Sequence, residues 1–332
     1  MILKNWLKTF RIQTTPETVL GVLVPYLAVA TLWDWRLIIF IPFLMASHWI
    51  SFGHNGIMDT AMGYDVHDPT KAHHPLITGE LSLQSVHNVI HWSMAILTIL
   101  GAGLTLWLSP NPVPALIALL IWYAFGNAYN DGLSKESIWG FLAISMCTAG
   151  MVAWGWFLSH TALTWLGIFY LAYMFLGMTY QISVSGFLVD METQESSNFL
   201  KRLGAKLRYD LSDMEAQPIL IMRKARVWGR GIKFINLLFG LAILSFVRDP
   251  IKIIWFVLVG IIMVALVIFQ TEDREYIVGD HLVNASLIEI ITIFLPIPLL
   301  LPWNLAILLM VSGVLWFYWT NRYLWGAAFP DV

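Results

Sequence analysis

Charge is what this sequence has least of. Asp, Glu, Lys and Arg supply 12% of its 332 residues, about half the share a soluble domain uses. Hydrophobic residues fill 58% of the chain and mean hydropathy is +0.70, which excludes a water-soluble globule with an ordinary polar shell. Cysteine is nearly absent too. Cys147 stands alone in an apolar run, so no internal disulfide can form, and the thiol reads as a small buried hydrophobe. A cleavable leader is not expected, because Lys4, Lys8 and Arg11 run into an apolar segment that lacks a small-residue cleavage site. No long polar stretch stands apart from the rest, and residues 1–332 read as a single integral membrane domain.

What the chain does have is apolar runs. A span needs about 20 residues to cross the hydrocarbon core. Ten candidates meet or approach that length: 18–33, 37–57, 85–108, 113–127, 138–158, 163–189, 232–246, 251–269, 282–301 and 304–323. The fourth and seventh are short, so the expected fold is an all-α, polytopic transmembrane bundle of nine or ten helices. Basic residues orient it. With the amino terminus inside, 16 of the 19 Lys and Arg fall in inner segments, and only Arg36, Arg248 and Lys252 fall outside. This bias favours an even number of spans with both termini inside. The inner loops, 57–84 and 190–230 above all, are long and polar, while outer turns such as Ser109-Pro110-Asn111-Pro112 are short. At the first span Thr15 is the expected cap, with Pro16 in the first turn, Glu17 beside the positive helix end, and Pro25 as a kink.

Acidic residues share the asymmetry. Asp59, Asp65 and Asp68 follow the second span, and Asp131 and Glu136 the fourth. Asp190, Glu192 and Glu195 follow the sixth, and Glu272, Asp273 and Glu275 the eighth. The eighth-span set reads as a solvated loop. The second- and sixth-span sets continue directly from apolar helix, where a charge is costly. Asn55 and Asp59 are four residues apart and so share one helical face. Two oxygen donors on one face suit Mg²⁺, which takes few protein ligands and completes its shell with water and phosphate oxygens. Asp190, Glu192 and Glu195 form a candidate facing set, and two such sets with Lys and Arg nearby suit a diphosphate held through Mg²⁺.

These motifs resemble the UbiA superfamily of intramembrane prenyltransferases, and the resemblance runs from Arg11 to about Gly204. Arg11, Pro16 and Pro25 match its first-helix pattern. Asn55-x-x-x-Asp59 with His74-Pro75-Leu76-Ile77-Thr78-Gly79 is similar to its first motif and the trailing Arg-Pro-Leu-x-x-Gly. Tyr129 to Lys135 is similar to its Tyr…Lys element. Asp190-Met191-Glu192-Thr193-Gln194-Glu195 with Arg202-Leu203-Gly204 is similar to its second motif. There are departures: Gly56 stands where the family has Asp, His74 where it has Arg, and Gln194 where a final Asp would sit, with Glu195 the nearest replacement. Asp65 lies beyond the family spacing, and Tyr129 and Lys135 are two residues further apart than usual. The chain reads as a divergent member. The resemblance implies helices around a lipid-open central cavity and Mg²⁺-dependent transfer from a polyprenyl diphosphate to a small acceptor, aromatic compounds being among the candidates. In that reading Asn55, Asp59, Asp190, Glu192 and Glu195 hold metal, and Lys71, Lys135, Tyr129 and Arg11 contact diphosphate. Asp65, Asp131, His74 and Glu289 are additional candidates. A terpene cyclase of the same superfamily is the alternative. The expected location is the cell membrane, with the active site on the cytoplasmic side.

Other classes fit less well. Seven of nine histidines lie between His48 and His91, yet a di-iron membrane hydroxylase would need His-x-x-His-His boxes, and none occurs. His67, His73 and His74 are expected in the polar loop, and His87 and His91 as hydrogen-bond partners facing the cavity. Asp131-Gly132 invites comparison with the CDP-alcohol phosphatidyltransferases, but Leu133-Ser134-Lys135 follows where Ala-Arg and further Asp pairs are needed. A transporter would place its acids near the midplane rather than at one face. The basic run Lys201 to Lys233 reads as a membrane-surface anchor rather than a nucleic-acid site, with Arg223 or Arg226 available for phosphate. Glu289 alone lies well inside a span, with Asn284 or Ser286 as the expected partner. The topology has a direct check. In a Cys147→Ser background, single cysteines at Ser109 and Ser159 should label from one side of the membrane and a cysteine at Ser134 from the other. Same-side labelling of Ser109 and Ser134 would refute the arrangement.

Overall fold

The computed structural model describes residues 2–28, 34–63, 73–133, 137–186, 199–204, 206–207, 217–220, 223–272, 274–276, 288–289 and 292–326. Helices dominate. They are α1 (Ile2–Thr9), a 3₁₀ turn (Ile12–Thr14), α2 (Thr15–Leu27), α3 (Leu37–Ala61), α4 (Leu83–Leu108), α5 (Pro112–Asn130) and α6 (Ser137–Phe157). Next come α7 (Trp165–Tyr180), a π-helical turn (Gln181–Gly186) and α8 (Phe199–Arg202). The last are α9 (Arg223–Leu244), α10 (Pro250–Thr271), α11 (Pro296–Leu300) and α12 (Trp303–Trp325). Three short strands form one antiparallel sheet in the order β1 (Lys206–Leu207), β2 (Gln217–Leu220) and β3 (Arg274–Tyr276).

Among the described residues, eight helices are long and apolar enough to cross a membrane. Large apolar side chains such as Ile38, Ile99, Leu120, Val257 and Ile261 are exposed along them. Hydrocarbon, not water, is the solvent for such faces, and the chain is an integral membrane protein. Eight of the ten expected spans correspond to these helices. The first is represented by α2, 13 residues long, with 29–33 outside the described residues. The ninth lies partly outside them, and its described portion includes the five-residue α11. The seventh span begins nine residues before its apolar window, at Arg223. A helix propagates through basic residues whose stems lie along apolar surface and whose heads reach water. The cap at the first span also differs. Thr15 is already helical, and its hydroxyl donates to the Ile12 carbonyl at 2.6 Å while accepting from Trp49 Nε1 at 2.8 Å. The 3₁₀ turn occupies the place where a free N-cap would act.

Backbone contacts group the chain into two compact units. The first contains residues 1–132, 150–163 and 301–332, and the second 133–149 and 164–300. In the first unit the hub is Trp154, which is fully buried. Its indole N–H donates to Thr105 Oγ1 at 2.8 Å. Its ring lies 5.4 to 5.7 Å from those of Phe40, Phe43 and Trp122. Glycines admit this density. A Cβ at Gly155 would sit 2.4 Å from the Val22 carbonyl oxygen, and one at Gly150 2.5 Å from the Trp122 backbone nitrogen. Small residues at crossings let membrane helices approach closely and gain packing. On a connecting segment, Asp34 accepts from Arg36 Nε at 2.7 Å and from Tyr26 OH at 2.6 Å. These bonds, Arg36 first, hold its carboxyl down to about 2. Their stabilisation is present above the ordinary carboxylate range and lost as pH falls towards that value. Helix α12 is tied to the amino terminus, with Trp316 Nε1 donating to Ile12 O at 2.6 Å and Lys8 Nζ 4.2 Å over the Trp325 ring.

In the second unit α7 packs along α9. Phe141, Tyr180, Val184, Phe199, Leu200, Ala225, Ile232 and Val267 form its core, with Trp228 against them. Asn236 Nδ2 donates to the Tyr173 carbonyl at 2.7 Å, and Thr179 Oγ1 donates to Ser145 Oγ at 2.9 Å. Arg226 Nε and Arg230 Nε donate to Thr271 O and Oγ1, both at 3.0 Å, placing cations at the negative end of α10. Gly155→Ala and Gly150→Ala each drive a methyl into backbone and should lower stability by about 1–3 kcal/mol. A thermal melt in detergent would read this as a clear drop in Tm. An unchanged Tm in both would contradict the described helix crossings.

Candidate functional site

The carboxyl-terminal half of α3 carries the site. His48, Phe52, Asn55 and Asp59 recur at helical spacing and share one face. The top of that face is tied down by His48, which is buried. Its Nε2 lies 2.9 Å from Thr14 Oγ1 and its Nδ1 2.8 Å from Thr18 Oγ1. The Thr14 hydroxyl already donates to the Arg11 carbonyl at 2.8 Å. This assigns the proton to His48 Nε2 and makes Nδ1 the acceptor from Thr18, a neutral ring with both nitrogens satisfied. The imidazole packs on Phe52 with centroids 4.4 Å apart.

Arg11 is the one described non-glycine residue with positive φ, at φ 45° and ψ 50°. That left-handed conformation costs roughly 1–2 kcal/mol for a residue with a Cβ. It is held by the Thr14 hydroxyl and by backbone bonds from Arg11 N to Lys8 O and from Thr14 N to Arg11 O. The strained turn between α1 and the 3₁₀ turn leaves the Arg11 guanidinium 5.9 Å from the Phe52 ring centroid. Phe52 precedes Asn55 by about one turn and Asp59 by about two, so the cation packs on the helical face that carries the two oxygen donors. Such outliers cluster where strain serves a site.

The neighbouring face of α3 is clamped to α5. Ser47 Oγ and Tyr123 OH are 3.3 Å apart, and Asn130 Nδ2 donates to Ser51 O at 3.0 Å. His54 Nε2 lies 3.0 Å from Asp131 Oδ1. These contacts fix the rotation of α3 and hence the direction of Asn55 and Asp59. They also engage Asp131 with His54. Tyr129 is half-buried on the last turn of α5, and Asp59 is buried.

His74, Pro75 and Leu76 are buried in a compact turn whose carbonyls accept from Ile77, Thr78 and Leu81. Gly79 closes it at φ 73°, a conformation only glycine adopts readily. A Cβ at Gly56 would meet His74 Cε1 at 3.8 Å and Leu76 Cδ1 at 3.9 Å. Two departures from the family pattern, Gly56 for Asp and His74 for Arg, therefore face each other.

Lys71, Asp65, Lys135, Asp190, Glu192 and Glu195 lie outside the described residues, as do His67, Asn284 and Ser286. The described chain approaches the acidic segment through Tyr180 and the π-helical turn. Glu289 is completely buried, and its partner is Lys233 Nζ. Lys233 thus leaves the expected surface anchor. It falls on the buried stripe Ala225, Gly229, Ile232, Asn236, Gly240 and Ile243, whose period the sequence displays. His87 and His91 are exposed on α4, with ring centroids 6.2 Å apart. Sequence reasoning missed His48 and Phe52, which counting back from Asp59 by 4, 3 and 4 residues would have found.

Two substitutions separate fold from site. Arg11→Gly removes backbone strain together with the cation. It should leave Tm nearly unchanged while weakening binding of inorganic diphosphate in the presence of Mg²⁺, measured by calorimetry. Gly56→Ala meets only ordinary contacts and should stabilise the α3 interior by roughly 0.5–1 kcal/mol, seen as a higher Tm. A large Tm loss in either would contradict the local geometry.

No family profile and no curated protein matches this sequence. Solved structures do. A digeranylgeranylglyceryl phosphate synthase matches with a TM-score of 0.62 at 15% identity, covering 90% of this chain and 96% of its own. A UbiA homologue from Archaeoglobus fulgidus bound to DMAPP and Mg²⁺ matches with a TM-score of 0.62 at 13% identity, covering 89% and 99%. A UbiA homologue from the same organism bound to GPP and Mg²⁺ gives 0.56 at 13% identity over the same shares. At these identities the likeness is one of architecture, and the architecture of this chain is the UbiA fold.

Proposed function

We propose that this chain is a divergent UbiA-type, Mg²⁺-dependent intramembrane prenyltransferase that moves a prenyl group from a polyprenyl diphosphate to a small acceptor. The observation that carries the reading is the α3 face, where Asn55 and Asp59 share a side of the helix with Phe52, the ring beside the strained Arg11, in a fold shared with structures that bind DMAPP or GPP with Mg²⁺.

The residues fit the metal. Asn55 and Asp59 offer hard oxygen donors four apart. Among the described residues no three His, Cys, Asp or Glu side chains gather into a self-sufficient metal group. Mg²⁺ suits such a sparse site, because it keeps several waters and takes phosphate oxygens alongside one or two carboxylates. When bound, it would neutralise charge building on the departing diphosphate. Asp190, Glu192 and Glu195 would supply the second acidic set, with Lys71, Lys135 and Tyr129 toward the phosphates. Arg11 would lower the energy of the leaving group further, because a preorganised cation needs no reorganisation as charge develops. The carbon–oxygen bond to diphosphate breaks with its electron pair leaving on oxygen. The acceptor's electron pair forms the new bond to the allylic carbon, and the acceptor then loses a proton. The distribution of Lys and Arg supports a site on the cytoplasmic side, and the location proposed is the cell membrane.

Purified protein with allylic diphosphates should release diphosphate only with Mg²⁺, and a small acceptor should gain the mass of the prenyl group. A product of unchanged acceptor and cyclised prenyl chain would assign the cyclase chemistry instead. Failure to release diphosphate at any chain length would sink both. Asp59→Asn and Asp190→Asn keep shape and remove charge, and each should cost on the order of a hundredfold or more in rate. Full activity in either would refute the site. Full activity in Glu195→Gln alone would move that metal-ligand role to Glu192.

A further inference from the structure

The buried pair Lys233–Glu289 has no part in the chemistry proposed above, yet it lies against the segment that leads to the second acidic set. After Tyr180 the chain makes one π-helical turn, Gln181–Gly186, immediately before residues 187–198. Such turns are rare and recur at functional sites. A π-turn admits an extra residue, which shifts the phase of everything after it by about 100° relative to an unbroken α-helix. The direction in which the chain leaves α7 therefore depends on the turn being kept.

In the second unit this turn is gripped along its length. Tyr180 OH donates to Gln270 Oε1 at 2.7 Å, and Gln270 Nε2 donates to Ser185 Oγ at 2.8 Å. Trp228 Nε1 donates to Ser183 Oγ at 3.0 Å. Lys233 Nζ lies 4.1 Å from the centre of the Tyr180 ring and donates to Glu289 Oε1. Glu289 is fixed in turn, because its carbonyl accepts from Thr292 Oγ1 at 2.7 Å and Thr292 O accepts from Tyr173 OH at 2.9 Å. Tyr180 thus has a cation over its ring and an amide on its hydroxyl. Both serines of the turn are bound to helices other than their own. Charges this deep are expensive and mark functional positions in membrane proteins.

We propose that Gln270 and the Lys233–Glu289 pair are positioning residues, which hold the π-turn and so set the rotation at which the chain enters the acidic segment containing Asp190 and Glu195. The consequence for activity rests on the prenyltransferase reading. The grip on the turn does not.

The test uses the full-length protein in detergent or nanodiscs with two variants. Gln270→Leu removes both hydrogen bonds without a charge. Lys233→Met with Glu289→Gln removes the pair at similar volume and leaves neither charge uncompensated, which favours folding. Amide hydrogen exchange over residues 181–186, measured without substrate, should speed up in both. In turnover assays the Mg²⁺ concentration for half-maximal activity should rise about ten- to a hundredfold, the usual cost of losing a residue that supports metal ligands. kcat at saturating Mg²⁺ should change far less. Gln270→Glu still accepts from Tyr180 and should restore part of the Mg²⁺ response. Unchanged exchange at 181–186 would overturn the proposal, as would a lower Tm with an unaltered Mg²⁺ response. If the parent protein releases no diphosphate from any allylic substrate, the activity reading fails, and exchange alone decides the grip on the turn.

Discussion

Hydrocarbon as solvent is the constraint on which the rest of this structure depends. Apolar helices gain little by touching each other rather than lipid, so cohesion has to come from close packing and from polar groups that cannot be satisfied elsewhere. Both devices are visible. Gly150 and Gly155 let backbones meet where any side chain would collide. Trp154 with Thr105, Tyr173 with Thr292, and Asn236 with the Tyr173 carbonyl peg one segment to another. In each case a buried donor finds a partner on a different helix or segment, and that requirement fixes the rotation of both.

The candidate site is built from the same material. His48 spends both ring nitrogens on threonines of the 3₁₀ turn and α2, one of which also holds the strained Arg11 carbonyl. Asn130 and Asp131 at the end of α5 hold the adjacent face of α3. Asn55 and Asp59 are thus aimed by neighbours that would never be chosen as ligands. The rotation of the helix is set by these contacts, and the bare Cα of Gly56 leaves room beside it for the His74 imidazole.

Much of this was legible from residue order because its causes are local or compositional. Scarce charge and long apolar runs demand spanning helices. A four-residue spacing demands that Asn55 and Asp59 share a face. The buried stripe on α9 is equally readable, but its apolar run opens only at Ile232, so Lys233 stands at the edge of a basic segment and resembles surface charge. Thr15 departs from its expected capping role for a similar reason. The sequence around it satisfies the capping preference, while the hydroxyl is drawn to Ile12 O and Trp49 by a turn that preference alone does not reveal.

By itself the sequence determined that the chain is a helical membrane protein with acidic motifs at helix ends, since hydropathy and helical period act within a single segment. Only the tertiary structure decided which buried charges meet. Lys233 and Glu289 are 56 positions apart, and nothing local to either announces the other. Their pairing follows from the cost of leaving a charge alone in a low dielectric, a cost that depends on which helices pack together. The left-handed Arg11 was decided the same way. No local preference favours that conformation for arginine, and it persists because Thr14, His48 and Thr18 join three elements around it.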